Sequence, residues 1–215
     1  MPETKAPRAG SRLLWTLLAL LIGSSLGASL VQTSFGDIEV KSITLPTQNG
    51  QWLVADLFRP RSATADDPAP LVVVVPGFQR SKEALSNVAI ELARRGIVAI
   101  SIDPYAQGGS SASMSRRAAT TEGYGMFAVV EYAFDTPNLN YVDKSRIGAT
   151  GHSAGGNAAI RGANYFGKEA QRTGQPSKLH SVFVSGYVLT LTEEVLRDVR
   201  SNVGMSYAFY DEGAY

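Results

Sequence analysis

A hexapeptide at a change of periodicity constrains this chain more than any other feature. Ser145-Arg146-Ile147-Gly148-Ala149-Thr150 is a short β-like run, and Asn157-Ala158-Ala159-Ile160-Arg161-Gly162-Ala163 reads as a helix. Gly151-His152-Ser153-Ala154-Gly155-Gly156 joins them. The joint is a G-x-S-x-G, and strand, motif and helix in that order are the context of a nucleophile elbow. Glycines at 151 and 155 suit such a turn because a side chain at either would collide with the tight backbone. The same turn lifts the Ser153 hydroxyl clear of the sheet. A Gly-rich structural turn is the alternative reading, and the flanking strand and helix argue against it.

The rest of the chain repeats the alternation. Leu71-Val72-Val73-Val74-Val75 and Ile97-Val98-Ala99-Ile100-Ser101-Ile102 are apolar and rich in β-branched residues, as strands covered on both faces are. Ahead of them, Ile38 to Thr44 alternates loosely, and Asn49-Gly50 is a hairpin turn into Trp52 to Phe58. Helices are expected over Lys82 to Arg95, with Ser81 as N-cap and Gly96 as stop, and over about Gly123 to Phe134, broken at Pro137-Asn138. Further strands are expected at Ser181 to Tyr187 and Val203 to Tyr210, with a short helix from Thr192 to Arg200 between them. The pattern predicts an α/β fold, a mostly parallel sheet with helices on both faces, entered through an antiparallel hairpin. Ligands of such folds sit at the carboxyl ends of the strands, where Asp103, Ser153 and Asp211 all fall.

A length of 215 residues with 44% hydrophobic content supports one domain with a substantial core. A net charge of +1 gives no reason to expect nucleic acid as a partner. Cysteine is absent, which removes both a disulfide framework and a thiol nucleophile. No metal-ligand cluster stands out, and no metal or organic cofactor is implied. The first 34 residues differ in kind from residues 35–215, which make the expected catalytic domain. Lys5, Arg8 and Arg12 precede the uncharged run Leu13 to Val31, 19 residues and long enough to span a bilayer as a helix. Basic residues before it favour an N-terminus in the cytoplasm and the remainder outside. A cleaved signal peptide, with Ser25-Leu26-Gly27 as a small-x-small site, is the competing reading. Either way the domain is exported, membrane-anchored in the first case and secreted in the second.

Attack by Ser153 on a carbonyl builds an oxyanion that needs preorganised N–H donors. The Ala154 N–H, at the start of the helix, is one candidate. The other comes from the loop after the third strand, Pro76-Gly77-Phe78-Gln79, which makes Phe78 the second donor with Gln79 as fallback.

These motifs carry a resemblance. The run Tyr141 to Gly156 resembles the approach to the elbow in α/β-hydrolases of the dienelactone-hydrolase and prolyl-oligopeptidase-like esterase type. Val75-Pro76-Gly77-Phe78, and Ile102-Asp103 with the Gly/Ser loop after it, resemble secreted polyester-hydrolase and cutinase-like enzymes. The resemblance covers about Ile38 to the end and implies a serine hydrolase acting on carboxylic esters, small or polymeric. A peptidase of the same fold, or a non-catalytic module that keeps the fold for binding, are the alternatives.

The family pattern places an acid one strand after Tyr187 and a histidine base one strand later. Asp211 stands where the acid belongs, with Glu212 as backup and an exposed acidic turn as the plain alternative. The chain has two histidines. His152 neighbours the nucleophile, should project to the other side of the strand, and is expected to pack against the next strand or helix. His180 precedes the following strand, at the wrong end of the sheet. Neither serves as base. The final strand, its histidine loop and last helix of the family pattern are not found, so the sequence reads as C-terminally truncated, with very weak turnover expected of these 215 residues. Asp103 precedes Ser153 and is read as structural. Tyr105, Tyr124 and Phe78 are core residues or the walls of a substrate pocket. Arg94-Arg95 and Arg116-Arg117 are read as solvated charges.

Overall fold

The computed structural model describes residues 8–47, 50–113, 122–187 and 192–208. Seven strands form one sheet in the order β1-β2-β4-β3-β5-β6-β7. They are β1 (Ile38–Pro46), β2 (Trp52–Pro60), β3 (Ala69–Val75), β4 (Val98–Ile102), β5 (Val142–His152), β6 (Ser181–Ser185) and β7 (Asn202–Ser206). The β1–β2 and β2–β4 pairings are antiparallel and every pairing from β4 through to β7 is parallel. This is the α/β-hydrolase arrangement, and the expected fold class holds. Asn49 of the expected hairpin turn, Arg116-Arg117, Asp211 and Glu212 lie outside the described residues.

The apolar run of β3 is explained by burial on both faces. Leu71, Val73 and Val75 belong to one core cluster, Val74 to another. The larger core receives Met126, Val129 and Val130 from α3 (Met126–Asp135), and Ala159, Ile160 and Phe166 from α4 (Ala154–Thr173). The smaller one receives Ala89 and Ala93 from α2 (Ser86–Arg94) on the opposite face. Helices therefore cover both sides of the parallel strands. At the outer edge Val203 and Met205 of β7 remain exposed.

Local boundaries differ from the sequence pattern where tertiary partners intervene. The expected helix over Lys82 to Arg95 divides into a 3-10 turn, Lys82–Leu85, and then α2. The Ser81 hydroxyl goes to the Glu83 carboxylate and caps nothing. Asp103 caps from a distance instead, its Oδ1 accepting from the Lys82 N–H at 2.7 Å. Gly96 stops the helix as expected, at φ +79°. The helix after the elbow begins directly at Ala154 and runs 20 residues, far past Ala163, because its small residues let it lie close to its neighbours. A Cβ at Gly167, for example, would stand 1.8 Å from the Asp198 carbonyl. The helix expected over Thr192 to Arg200 shortens to α5 (Glu193–Leu196), since the chain must turn at Asp198 to enter β7.

Ahead of the sheet stands α1 (Arg8–Gln32). Its Gly10–Gln32 span has a mean hydropathy of 1.9 and is not buried anywhere against the domain. It is the one helix among the described residues long and apolar enough to cross a membrane.

Candidate active site

The turn at the end of β5 has the geometry that its glycines foretell. Ser153 sits at φ 54°, ψ −120°, a conformation that costs a non-glycine residue about 1–3 kcal/mol and persists only where its surroundings enforce it. The enforcement is visible. The Ser153 N–H donates to the Ser185 carbonyl at 2.9 Å, and the Ser153 carbonyl accepts from the Asn157 N–H at 3.0 Å. A Cβ at Gly151 would stand 2.3 Å from the Gly155 carbonyl carbon, and one at Gly155 would stand 1.9 Å from the Val75 carbonyl oxygen. The first turn of α4 therefore presses on the carboxyl end of β3.

That contact brings the loop after β3 beside the serine. A Cβ on Gly77 would lie 3.5 Å from the Ser153 Cβ. The loop turns through Gln79 at φ 55°, and the Arg80 N–H donates to Gly77 O at 3.3 Å and to Gln107 Oε1 at 3.0 Å. Neither the Phe78 nor the Ala154 N–H has an acceptor among the described residues. The Ala154 group is one of the orphan donors at a helix N-terminus, where the macrodipole also favours negative charge.

Phe78 is exposed and forms one wall of a cleft of about 430 Å³ with Gln79, Gln107, Tyr105 and Tyr124. The three aromatic residues singled out in the sequence thus meet at one place. Tyr105 is the buried member, its hydroxyl donating to Thr47 Oγ1 at 2.8 Å and its N–H to the Tyr124 carbonyl at 3.0 Å. Sequence reasoning missed Tyr187, which follows β6. Its Cβ lies 3.3 Å from where a Gly156 Cβ would be, against the first turn of α4. Only the pairing of β5 with β6 could have revealed that neighbourhood. A second cavity of about 330 Å³, lined by Thr47, Glu131, Tyr132 and Asp135 among others, shares Tyr105 with the cleft but holds none of the serine's surroundings.

Asp103 is structural. It is buried, and its two carboxylate oxygens accept from the Lys82 and Gly109 N–H groups at 2.7 and 2.8 Å. It ties the loop after β4 to the start of the α2 segment. His180 lies at the amino end of β6, where its Nδ1 accepts from the Ile147 N–H at 3.4 Å, so it is remote from Ser153. His152 is exposed and lies beside Ser185, Gly186 and Ser206, at the level where β6 and β7 end, with its Nδ1 3.7 Å from where a Gly77 Cβ would be. Ser153 Oγ makes no hydrogen bond among the described residues, to His152 included. No group of three or more His, Asp or Glu able to hold a metal occurs among them.

Burial raises the phenol pKa of Tyr105 and of Tyr124, the latter helped by nearby Tyr187. Burial raises that of Tyr141 too, although the Arg59 guanidinium 3.9 Å above its ring opposes the shift. A phenol with a raised pKa in the fold ionises more easily when unfolded, so its stabilising contribution is present below the ordinary value near 10 and fades as pH rises past it. An ultraviolet tyrosinate titration should find these three of the nine tyrosines ionising late and together with loss of structure. Ionisation of all nine at ordinary pH with the fold intact would contradict it.

The profile of the PET hydrolase-like family matches residues 19–212. The chain belongs to the PET hydrolase-like family. Of the two resemblances in its sequence, the match falls on the polyester-hydrolase one. Solved structures agree on the fold. An α/β-hydrolase from Penicillium sp. sh18 is 20% identical at a TM-score of 0.54, over 68% of this chain and 45% of its own. A hyperthermophilic esterase from the archaeon Pyrobaculum calidifontis is 24% identical at 0.54, over 77% and 52%. A Pyrococcus furiosus esterase is 18% identical at 0.55, over 82% and 85%. This PET hydrolase-like chain spans about half the length of the first two. A comparison with curated proteins gives no match.

Proposed function

We propose that the chain is a serine hydrolase cleaving carboxylic esters through an acyl-enzyme on Ser153. The Ser153 oxygen attacks the ester carbonyl carbon as its proton passes to a base, and the carbonyl oxygen becomes an oxyanion held by the Phe78 and Ala154 N–H groups. Collapse expels the alcohol, which takes the proton back, and water then releases the acid by the same steps in reverse. Asp211 would orient the base. Both histidines of the chain are badly placed for that part, so the base is proposed to be a histidine outside these 215 residues. No cofactor enters the scheme.

The observation that carries this reading is the enforced conformation of Ser153 next to two N–H groups that have no acceptor among the described residues. A non-catalytic module has no use for that strain. Residues 35–215 form the proposed catalytic domain, and residues 1–34 the tail and anchor or signal segment, so the domain would work outside the cytoplasm. The test is a fluorophosphonate probe followed by peptide mass spectrometry. In the protein that carries the base an adduct on Ser153 is expected; an adduct on any other residue alone, or none, sinks the assignment. Comparing a p-nitrophenyl ester with the matching p-nitroanilide separates esterase from peptidase, and the ester is expected to be favoured.

A further inference from the structure

The apolar helix and the serine lie at opposite edges of the sheet. β1 begins at Ile38, paired with Pro60, while Phe58 on the same strand as Pro60 pairs with Ala99 near the start of β4. The chain therefore enters the domain from α1 at the amino ends of the parallel strands. Ser153 follows His152 beyond the Val75–Gly151 pair, at their carboxyl ends. The seven residues of β3 between those edges span about 23 Å at 3.3 Å each.

The junction with α1 is held from the domain side. α1 has no basic residue in its last turn to meet its unpaired carbonyls. Arg94 of α2 supplies one: its Nη2 donates to Val31 O at 2.8 Å and its Nε to Ser34 Oγ at 2.9 Å. Glu91, 2.5 Å from the same guanidinium, fixes its direction. Arg94 is thus a clamp between α1 and the domain, in contrast to the solvated charge its sequence suggested.

We propose that this junction seats the amino-terminal edge of the sheet on the bilayer and turns Ser153 to the aqueous side. The site then takes esters presented from solution, and the acyl esters of the host membrane's own phospholipids are outside its reach. The inference rests on α1 being a retained anchor and on Ser153 being the nucleophile, as proposed above. The Gly10–Gln32 span is about 35 Å at 1.5 Å per residue, enough for the roughly 30 Å of hydrocarbon. With that span in the bilayer and the strands upright on it, Phe78 and the cleft stand about 20 Å above the surface. A phospholipid ester would reach them only with its acyl chains drawn out of hydrocarbon into water, against the hydrophobic effect.

The absence of cysteine makes the test direct. Ser62→Cys labels the exposed loop after β2, beside Arg94, and Ala112→Cys labels the exposed loop after β4 at the catalytic edge. Each full chain, carrying a fluorophore, is placed in phosphatidylcholine vesicles containing a headgroup-nitroxide lipid, and the vesicles are floated. The label at 62 should lose most of its emission and the label at 112 essentially none. Arg94→Ala should shrink that contrast. Equal quenching at both sites, or the reverse order, overturns the orientation, and failure to float overturns the anchor and the proposal with it. In vesicles containing a fluorogenic phospholipid, the protein that also carries the proposed histidine base should hydrolyse a dissolved p-nitrophenyl ester and spare the lipid. Lipid turnover as fast as that of the dissolved ester overturns the substrate class. Loss of both activities with the quenching pattern intact would strike the esterase reading and leave the orientation standing.

Discussion

Replacing Ser153 by alanine should abolish fluorophosphonate labelling and reduce ester turnover to background while leaving the fold unchanged. The side chain bears no structural hydrogen bond among the described residues, and alanine can occupy the same enforced backbone, so thermal unfolding should hardly move. The size of the kinetic loss is informative in itself. Triad members act as a unit, so removing the serine from a complete triad costs on the order of 10⁴- to 10⁶-fold in kcat. Where the base is lacking, the parent protein is already slow and the same substitution costs little, because such effects are not additive. A large drop therefore reports a histidine reaching Ser153 from somewhere in the protein tested. Undiminished labelling of Ser153→Ala would remove Ser153 as nucleophile.

Gly155→Ala should damage stability and site together. The added Cβ would stand 1.9 Å from the Val75 carbonyl oxygen and 2.7 Å from that of Pro76, both backbone atoms with no rotamer to change. The start of α4 must then withdraw from the end of β3. Overpacking of this kind costs about 1–3 kcal/mol and sometimes more, a sizeable part of a typical 5–15 kcal/mol stability. For a chain of this size the melting temperature should fall by about 2–12 °C. The same withdrawal separates the Ala154 N–H from the Phe78 N–H, so turnover should fall even at temperatures where the protein stays folded. Gly27→Ala in α1 is the control, since a Cβ there meets nothing within 4 Å and should leave melting unchanged or raised. Equal melting of both variants would mean that the elbow glycines are not sterically required.

Much of this was legible in the residues because it depends on local rules. The unbroken apolar run Leu71 to Val75 requires cover on both faces, which α2 supplies on one side and α3 with α4 on the other. Gly96 ends a helix because only a residue without Cβ takes its positive φ cheaply. The Phe78 amide, which has no acceptor among the described residues, lies in the loop after β3. Where the reading failed, the partner was distant in sequence. Ser81 is a good N-cap by type, but the Asp103 carboxylate, 21 residues beyond Lys82, takes that place. Arg94 looked solvated because its acceptor, the Val31 carbonyl, lies 63 positions earlier.

The sequence alone determined the α/β alternation, the glycine spacing that admits an elbow at Ser153, and an apolar amino-terminal span, because periodicity and side-chain size act within a few residues. Tertiary structure decided the strand order 1-2-4-3-5-6-7, the pressing of Gly155 on Val75, the company of Tyr187, and the separation of the apolar helix from the serine. Those depend on which segments meet across the sheet, and no local pattern encodes a contact whose two halves lie 60 or 80 residues apart.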